Sequence, residues 1–261
     1  MGKRQRESLN GADWFLWGEL ILYLGFLTLD LGVLDTLRTG NGKLPNLDFL
    51  SCILKYTSVL VCYLWRVGKK DTFLERAQLL VLGADLCLLF RWHAPMGVAL
   101  FLGVQLQYRQ YLKDKRAWKG FLLQCGLAAL AAGLLMAVFL SGAAGTSTVV
   151  FVSGPEGISS AAFQLPSDRE TLSLCLLGTV YGVALLSNLY LAWREKQTLF
   201  GAGLFLLLLC DIHVLLYNLP LPLGGLLGQW QELAGTGMWF FYLPSQLMIA
   251  KLAVRKGKIY S

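Results

Sequence analysis

Two aspartates stand in apolar runs that would exclude them unless they had a partner or a task. Asp85 lies in the run 73–90 and Asp211 in the run 199–218, each about twelve residues from the more basic end. A carboxylate at membrane depth costs at least ~2.5–3.5 kcal/mol on insertion scales, so it faces a bundle interior or a cavity. Two carboxyl groups held together in low dielectric do not both ionise; one serves as an acid while the other remains an anion. Asp85 and Asp211 are expected to converge as such a pair, with catalytic work as one use and binding of an ion or polar solute as another. Lys55, Gln105, Tyr108, Tyr242 and Gln246 are the polar residues expected to bind substrate or water beside them. Lys55 is expected to hold one buried acid ionised rather than snorkel outward. Tyr242 and Gln246 are one helical turn apart, and Pro244 between them should free a backbone carbonyl.

Composition says what must position these residues. The 261-residue chain is 56% hydrophobic and 15% charged, with a mean hydropathy of +0.55. Its apolar residues form long blocks, which suits membrane spans and argues against an ordinary soluble domain. Candidate spans are 14–34, 49–65, 73–90, 95–112, 118–140, 172–193, 199–218 and 229–254. Lys and Arg fall 18 to 4 on alternate connections, with Lys55 inside a span. That asymmetry is a positive-inside signal. It predicts an all-α membrane protein, a single bundle of about eight transmembrane helices with both termini in the cytoplasm. Its parts are a basic N-terminus (1–12), a long outer loop (141–170) and a basic C-terminal tail (251–261) within one domain, without a repeat or linker. The net charge of +7 is an orientation code, which excludes a nucleic-acid surface. No cleavable leader is expected.

Several helix faces carry polar stripes. Glu19, Tyr23 and Asp30 fall within about 40° of one another, and Ser51, Lys55, Ser58 and Cys62 form another single stripe. Gln78 shares a broad face with Asp85, and Tyr181 shares one with Asn188, seven residues on. The Ala- and Gly-rich stretch 125–137 suggests close helix approach. Residues 35–48 read as a link, 146–152 as a short strand, 154–157 as a turn and 219–228 as an apolar connection. The six cysteines lie inside spans, without C-x-x-C spacing, and read as small packing residues. His213 lies about 200° round the helix from Asp211, a poor arrangement for shared metal ligation. No metal and no cofactor is expected.

These residues also carry a resemblance. Gly83-Ala84-Asp85 with Leu88-Leu89-Phe90, then Gly97, Phe101, Gln105 and Tyr108, resembles the YhhN family of lysoplasmalogenase-like membrane proteins. Cys210-Asp211 after Leu206–Leu209, and Tyr242-Leu-Pro-Ser-Gln246 in the last span, fit as well. The chain departs from the family pattern at Ala84, Cys210, Gln105 and Tyr56, where family members tend to have Gly, Ser, His and Pro. The resemblance implies hydrolysis of the vinyl ether bond of lysoplasmalogens, a lysophospholipid substrate and a bacterial cell membrane. The alternatives are a non-enzymatic transporter or binding protein, and an inactive sensor or scaffold of the same fold. Oligomeric state is not legible.

Overall fold

The computed structural model describes residues 3–39, 45–67, 71–90, 92–113, 118–143, 169–218 and 225–256. Among the described residues it is all helical, with eight helices: α1 (Lys3–Thr39), α2 (Pro45–Arg66), α3 (Thr72–Leu89), α4 (Ala94–Lys113), α5 (Trp118–Ala143), α6 (Arg169–Arg194), α7 (Thr198–Tyr217) and α8 (Gly225–Lys256). Each expected span corresponds to one helix. Much of the expected link 35–48 and part of the connection 219–228 are helical instead. The strand expected at 146–152 and the turn at 154–157 lie outside the described residues.

Four helices hold stretches long and apolar enough to cross a membrane: Trp14–Gly32, Phe49–Arg66, Ser173–Arg194 and Thr198–Tyr217. These give the chain the character of an integral membrane protein. Exposed Trp14, Leu24, Leu127, Leu134 and Leu215 form an apolar exterior that suits lipid rather than water. Helix α3 carries Glu75, Arg76 and Asp85 within 18 residues, a polar load of a different kind. It is capped at its start, where Asp71 accepts from the Leu74 amide at 3.4 Å. His93 opens α4 in the same way, accepting from the Met96 amide at 3.2 Å. One turn in, Gly97 lets α4 come close to α3. A Cβ there would lie 2.6 Å from Leu88 Cγ and 3.3 Å from the Ala84 carbonyl, beside Asp85.

The helices α2, α3, α4, α6, α7 and α8 pack in that order as a closed ring. Helix α1 lies outside against α2 and α8, and α5 lies outside against α4 and α6. Advancing every helix by four reproduces each packed pair except α3–α8, whose counterpart α4–α7 does not pack. The order of packing thus recurs with a period of four helices, although the sequence is expected to hold no repeat. A few residues follow the same period. Trp65-Arg66 ends α2 and Trp193-Arg194 ends α6. Thr72 opens α3 thirteen residues before Asp85, and Thr198 opens α7 thirteen before Asp211. Phe101 precedes Gln105 by four residues, as Tyr242 precedes Gln246. The two aspartates hold corresponding positions.

The small residues of α5 divide between two faces. Ala132 is buried where α5 packs along α6, whereas Gly126 and Gly133 have nothing within 4 Å of where a Cβ would sit and face away from neighbours. Arg109 of α4 adds a polar tie, its Nη2 donating to Gln124 at 2.7 Å and to Ser187 of α6 at 2.6 Å.

The stripes of α1 and α2 do meet. Ser58 and Cys62 donate to Glu19, while Ser51 and Lys55 donate to Asp30. The Lys55–Asp30 ion pair is 2.7 Å long and both side chains are nearly buried. Phe26 and Trp239 lie against the ammonium, 5.8 and 5.1 Å from ring centre to Nζ. Removing one partner strands the other, which typically costs about 3–5 kcal/mol. Lys55→Met should lower the unfolding midpoint of the detergent-solubilised protein sharply, and Lys55→Met with Asp30→Asn should recover most of the loss. A double variant no better than the single one would contradict this pairing.

Candidate active site

Asp85 projects from α3 into the ring and is 4% exposed. The Tyr242 hydroxyl, from α8, donates to its Oδ2 at 2.7 Å. Asp211, on α7, is half-buried, and the Tyr181 hydroxyl of α6 donates to its Oδ2 at 2.9 Å. Phe101 of α4 joins the two tyrosines, its ring centre 5.9 Å from that of Tyr181 and 6.4 Å from that of Tyr242. Buried Cys210 is within electrostatic reach of both carboxyl groups. Helices α3 and α7 do not pack on each other. The two acids therefore do not meet directly, as a catalytic pair was expected to: Tyr181, Phe101 and Tyr242, from α6, α4 and α8, stand between them.

Neither acid has an ion-pair partner among the described residues. This corrects the role expected of Lys55: its charge is taken by Asp30, and it reaches the site only through Trp239, whose ring lies 5.1 Å from that of Tyr242. A neutral phenol satisfies one carboxyl oxygen without fixing the charge of the group, so the acid remains free to take or give a proton. A bound ammonium would instead commit it to the anion.

The other expected residues line the same interior. Gln246 accepts from Gln78 Nε2 at 3.2 Å. Gln105 accepts twice from Asn188 Nδ2, at its backbone oxygen (2.8 Å) and its side-chain oxygen (3.0 Å). Tyr108 is fully buried, edge-on to Phe200 at 5.3 Å, with no hydrogen-bond partner for its hydroxyl. Unpartnered atoms recur here: Gln105 Nε2, Gln246 Nε2, Gln78 Oε1, Asn188 Oδ1 and Ser245 Oγ. Such a row of unmet polar atoms suits hydrated or ligand-binding space. His213 is turned elsewhere, with Nδ1 2.8 Å from the Leu209 carbonyl and its ring 5.0 Å from Phe241.

Two participants were not expected as site residues. Tyr181 was visible as part of a polar face, but nothing in the sequence names Asp211 as its partner. Arg66, at the end of α2, reads as a loop cation and is in fact fully buried.

No family model, curated protein or solved structure matches the chain. Its function must be argued from these residues.

The two acid–tyrosine bonds differ in how much they should matter. Tyr242→Phe leaves an oxygen of a buried carboxyl without its donor and should cost about 1–3 kcal/mol. Tyr181→Phe should cost less, because Asp211 is only half-buried and its carboxyl is less completely stranded by loss of the donor. Unfolding of the two variants in the same detergent checks the order; equal losses would contradict it.

Proposed function

We propose that the chain is a membrane-embedded hydrolase of the lysoplasmalogenase type, cleaving the vinyl ether bond of a lysolipid. The observation that carries the reading is the pair of interior carboxyl groups, Asp85 and Asp211, each held by a neutral tyrosine and both near Cys210. One carboxyl, in its acid form, delivers a proton to the alkene carbon remote from the ether oxygen. The alkene's π electrons form the new C–H bond, and the ether oxygen shares the positive charge as an oxocarbenium ion. The other carboxylate stabilises that cation and takes a proton from the water that attacks it. The resulting hemiacetal breaks its bond to the glycerol oxygen, which takes up a proton. One water is consumed, and an aldehyde and a free hydroxyl are formed. Gln105, Gln246 and Tyr108 supply polar contacts for substrate or water, and the chain of the lipid stays among the helices.

The same reading takes all eight helices as spans, with both termini in the cytoplasm of a bacterial cell. Helix α3 then crosses with its charged first turn at the basic face and Asp85 at depth. A cysteine-reactive, membrane-impermeant label should reach single cysteines at position 5 and at position 259 only after the membrane is opened. Labelling of either terminus in intact cells would contradict this topology.

Aldehyde release from lysoplasmalogen by the purified protein tests the activity. Asp85→Asn and Asp211→Asn should each lower turnover by about 100-fold or more. Unchanged turnover in both would overturn the pair. A transporter or solute-binding protein is the competing reading, and the four-helix period of the packing favours it, since transporters are often built from repeats. Asp85-dependent uptake into liposomes without aldehyde release would decide for that alternative.

A further inference from the structure

Arg66 and Arg194 hold corresponding positions in the packing pattern, yet they behave differently. Arg194 is exposed and pairs with Glu195 at 3.1 Å. Arg66 is fully buried. Its Nη1 donates to the carbonyls of Ile249 and Ala250 on α8, at 2.8 and 3.3 Å, while Nε and Nη2 have no hydrogen-bond partner among the described residues. Asp71 and Glu75 are within electrostatic reach, but neither forms an ion pair with it among the described residues. Burying guanidinium N–H groups without hydrogen bonds is costly, and donors of this kind suit an oxygen acceptor.

The surroundings point the same way. The unpartnered Tyr108 hydroxyl is within electrostatic reach of Arg66. Gln246, whose Nε2 is also unpartnered, stands one turn before Ala250, the residue Arg66 holds. Guanidinium, phenol and amide all present N–H or O–H groups. A phosphate offers several oxygens and a negative charge to such a set, and arginine's planar fork suits it. Glu75 also lines an open groove of about 160 Å³ with Tyr63, Thr72, Arg76 and Leu79. Gln78, bonded to Gln246, is seven residues from Asp85, about 10 Å along α3. A glycerophosphate backbone and the arginine side chain together span such a gap.

We propose that Arg66, with Tyr108 and Gln246, forms an oxyanion site for a phosphate group, placing a lysolipid's phosphodiester toward the basic end of the bundle and its ether bond toward Asp85. The lipid form of this inference rests on the hydrolase reading, but its test does not depend on turnover. Purified full-length protein in detergent is titrated with a non-hydrolysable 1-O-alkyl lysophosphocholine and with the matching 1-O-alkylglycerol, which lacks phosphate. Intrinsic tryptophan fluorescence reports binding. The wild type should prefer the phospholipid by about tenfold or more, the range of a charged hydrogen bond. Arg66→Gln should abolish the preference and Tyr108→Phe should reduce it several-fold.

Inorganic phosphate forms a second arm. Displacement of the lysolipid by phosphate in the wild type, weakened in Arg66→Gln, supports a site that accepts free phosphate too; an Arg66-dependent preference without displacement supports one confined to the lipid. Equal binding of the two amphiphiles by wild type, or a preference that survives both substitutions, would overturn the proposal. If Arg66→Gln does not fold, Tyr108→Phe decides alone, because its hydroxyl makes no hydrogen bond among the described residues. A protein that binds in this manner but releases no aldehyde retains the site and loses the hydrolase reading.

Discussion

Hydrocarbon offers polar groups no hydrogen bonds, so a side chain buried among apolar helices must find its partner on another helix. That constraint organises the bundle. It sets the α1–α2 seam, where Glu19 and Asp30 are each met by two residues of one stripe. It attaches α5 through Arg109. It also accounts for Tyr23: Pro244 has no amide to offer the Phe240 carbonyl one turn before it, and the Tyr23 hydroxyl donates to that oxygen at 3.4 Å. Polar cross-links of this kind give the helices a register that apolar packing alone would leave loose.

Asp85 and Asp211 satisfy the constraint only in part, and that separates them from the structural acids. Each has a neutral hydroxyl and no cation. Asp85 and Asp211 hold corresponding positions in the two halves of the packing pattern, in unlike surroundings. Asp85 takes its hydrogen bond from Tyr242. The equivalent of Tyr242 in the other half is Phe101, which has no hydroxyl, and the helices α4 and α7 do not pack. Asp211 therefore turns to Tyr181, and it is more open than Asp85. Two chemically identical groups in unlike surroundings are what an acid–base pair requires.

Helical period made the polar faces legible in the sequence. Ser51, Lys55, Ser58 and Cys62 do lie on one face, and Tyr181 and Asn188 both point inward. Spacing gives a face, however, and not the helix it meets. Lys55 was expected beside the catalytic acids because they were the buried carboxylates in view, whereas short α1–α2 packing gave it to Asp30. The glycines of α5 were read as a contact surface, since composition does not distinguish a face toward a helix from one toward lipid. The period of four helices was hidden because few residues mark it: a Trp-Arg pair, a thirteen-residue interval and an aromatic four residues before a glutamine. Arg66 was misjudged for a related reason, as positive charge at a helix end ordinarily faces water.

The central claim is that the two acids border one chamber that accepts the ether end of a lysolipid. A high-resolution structure of the protein with a bound 1-O-alkyl lysophospholipid tests it most directly. The ether oxygen should lie between the carboxyl groups of Asp85 and Asp211, against Phe101. A lipid bound only to the outer apolar surface, with those carboxyl groups sealed from it by the aromatic side chains, would contradict the account.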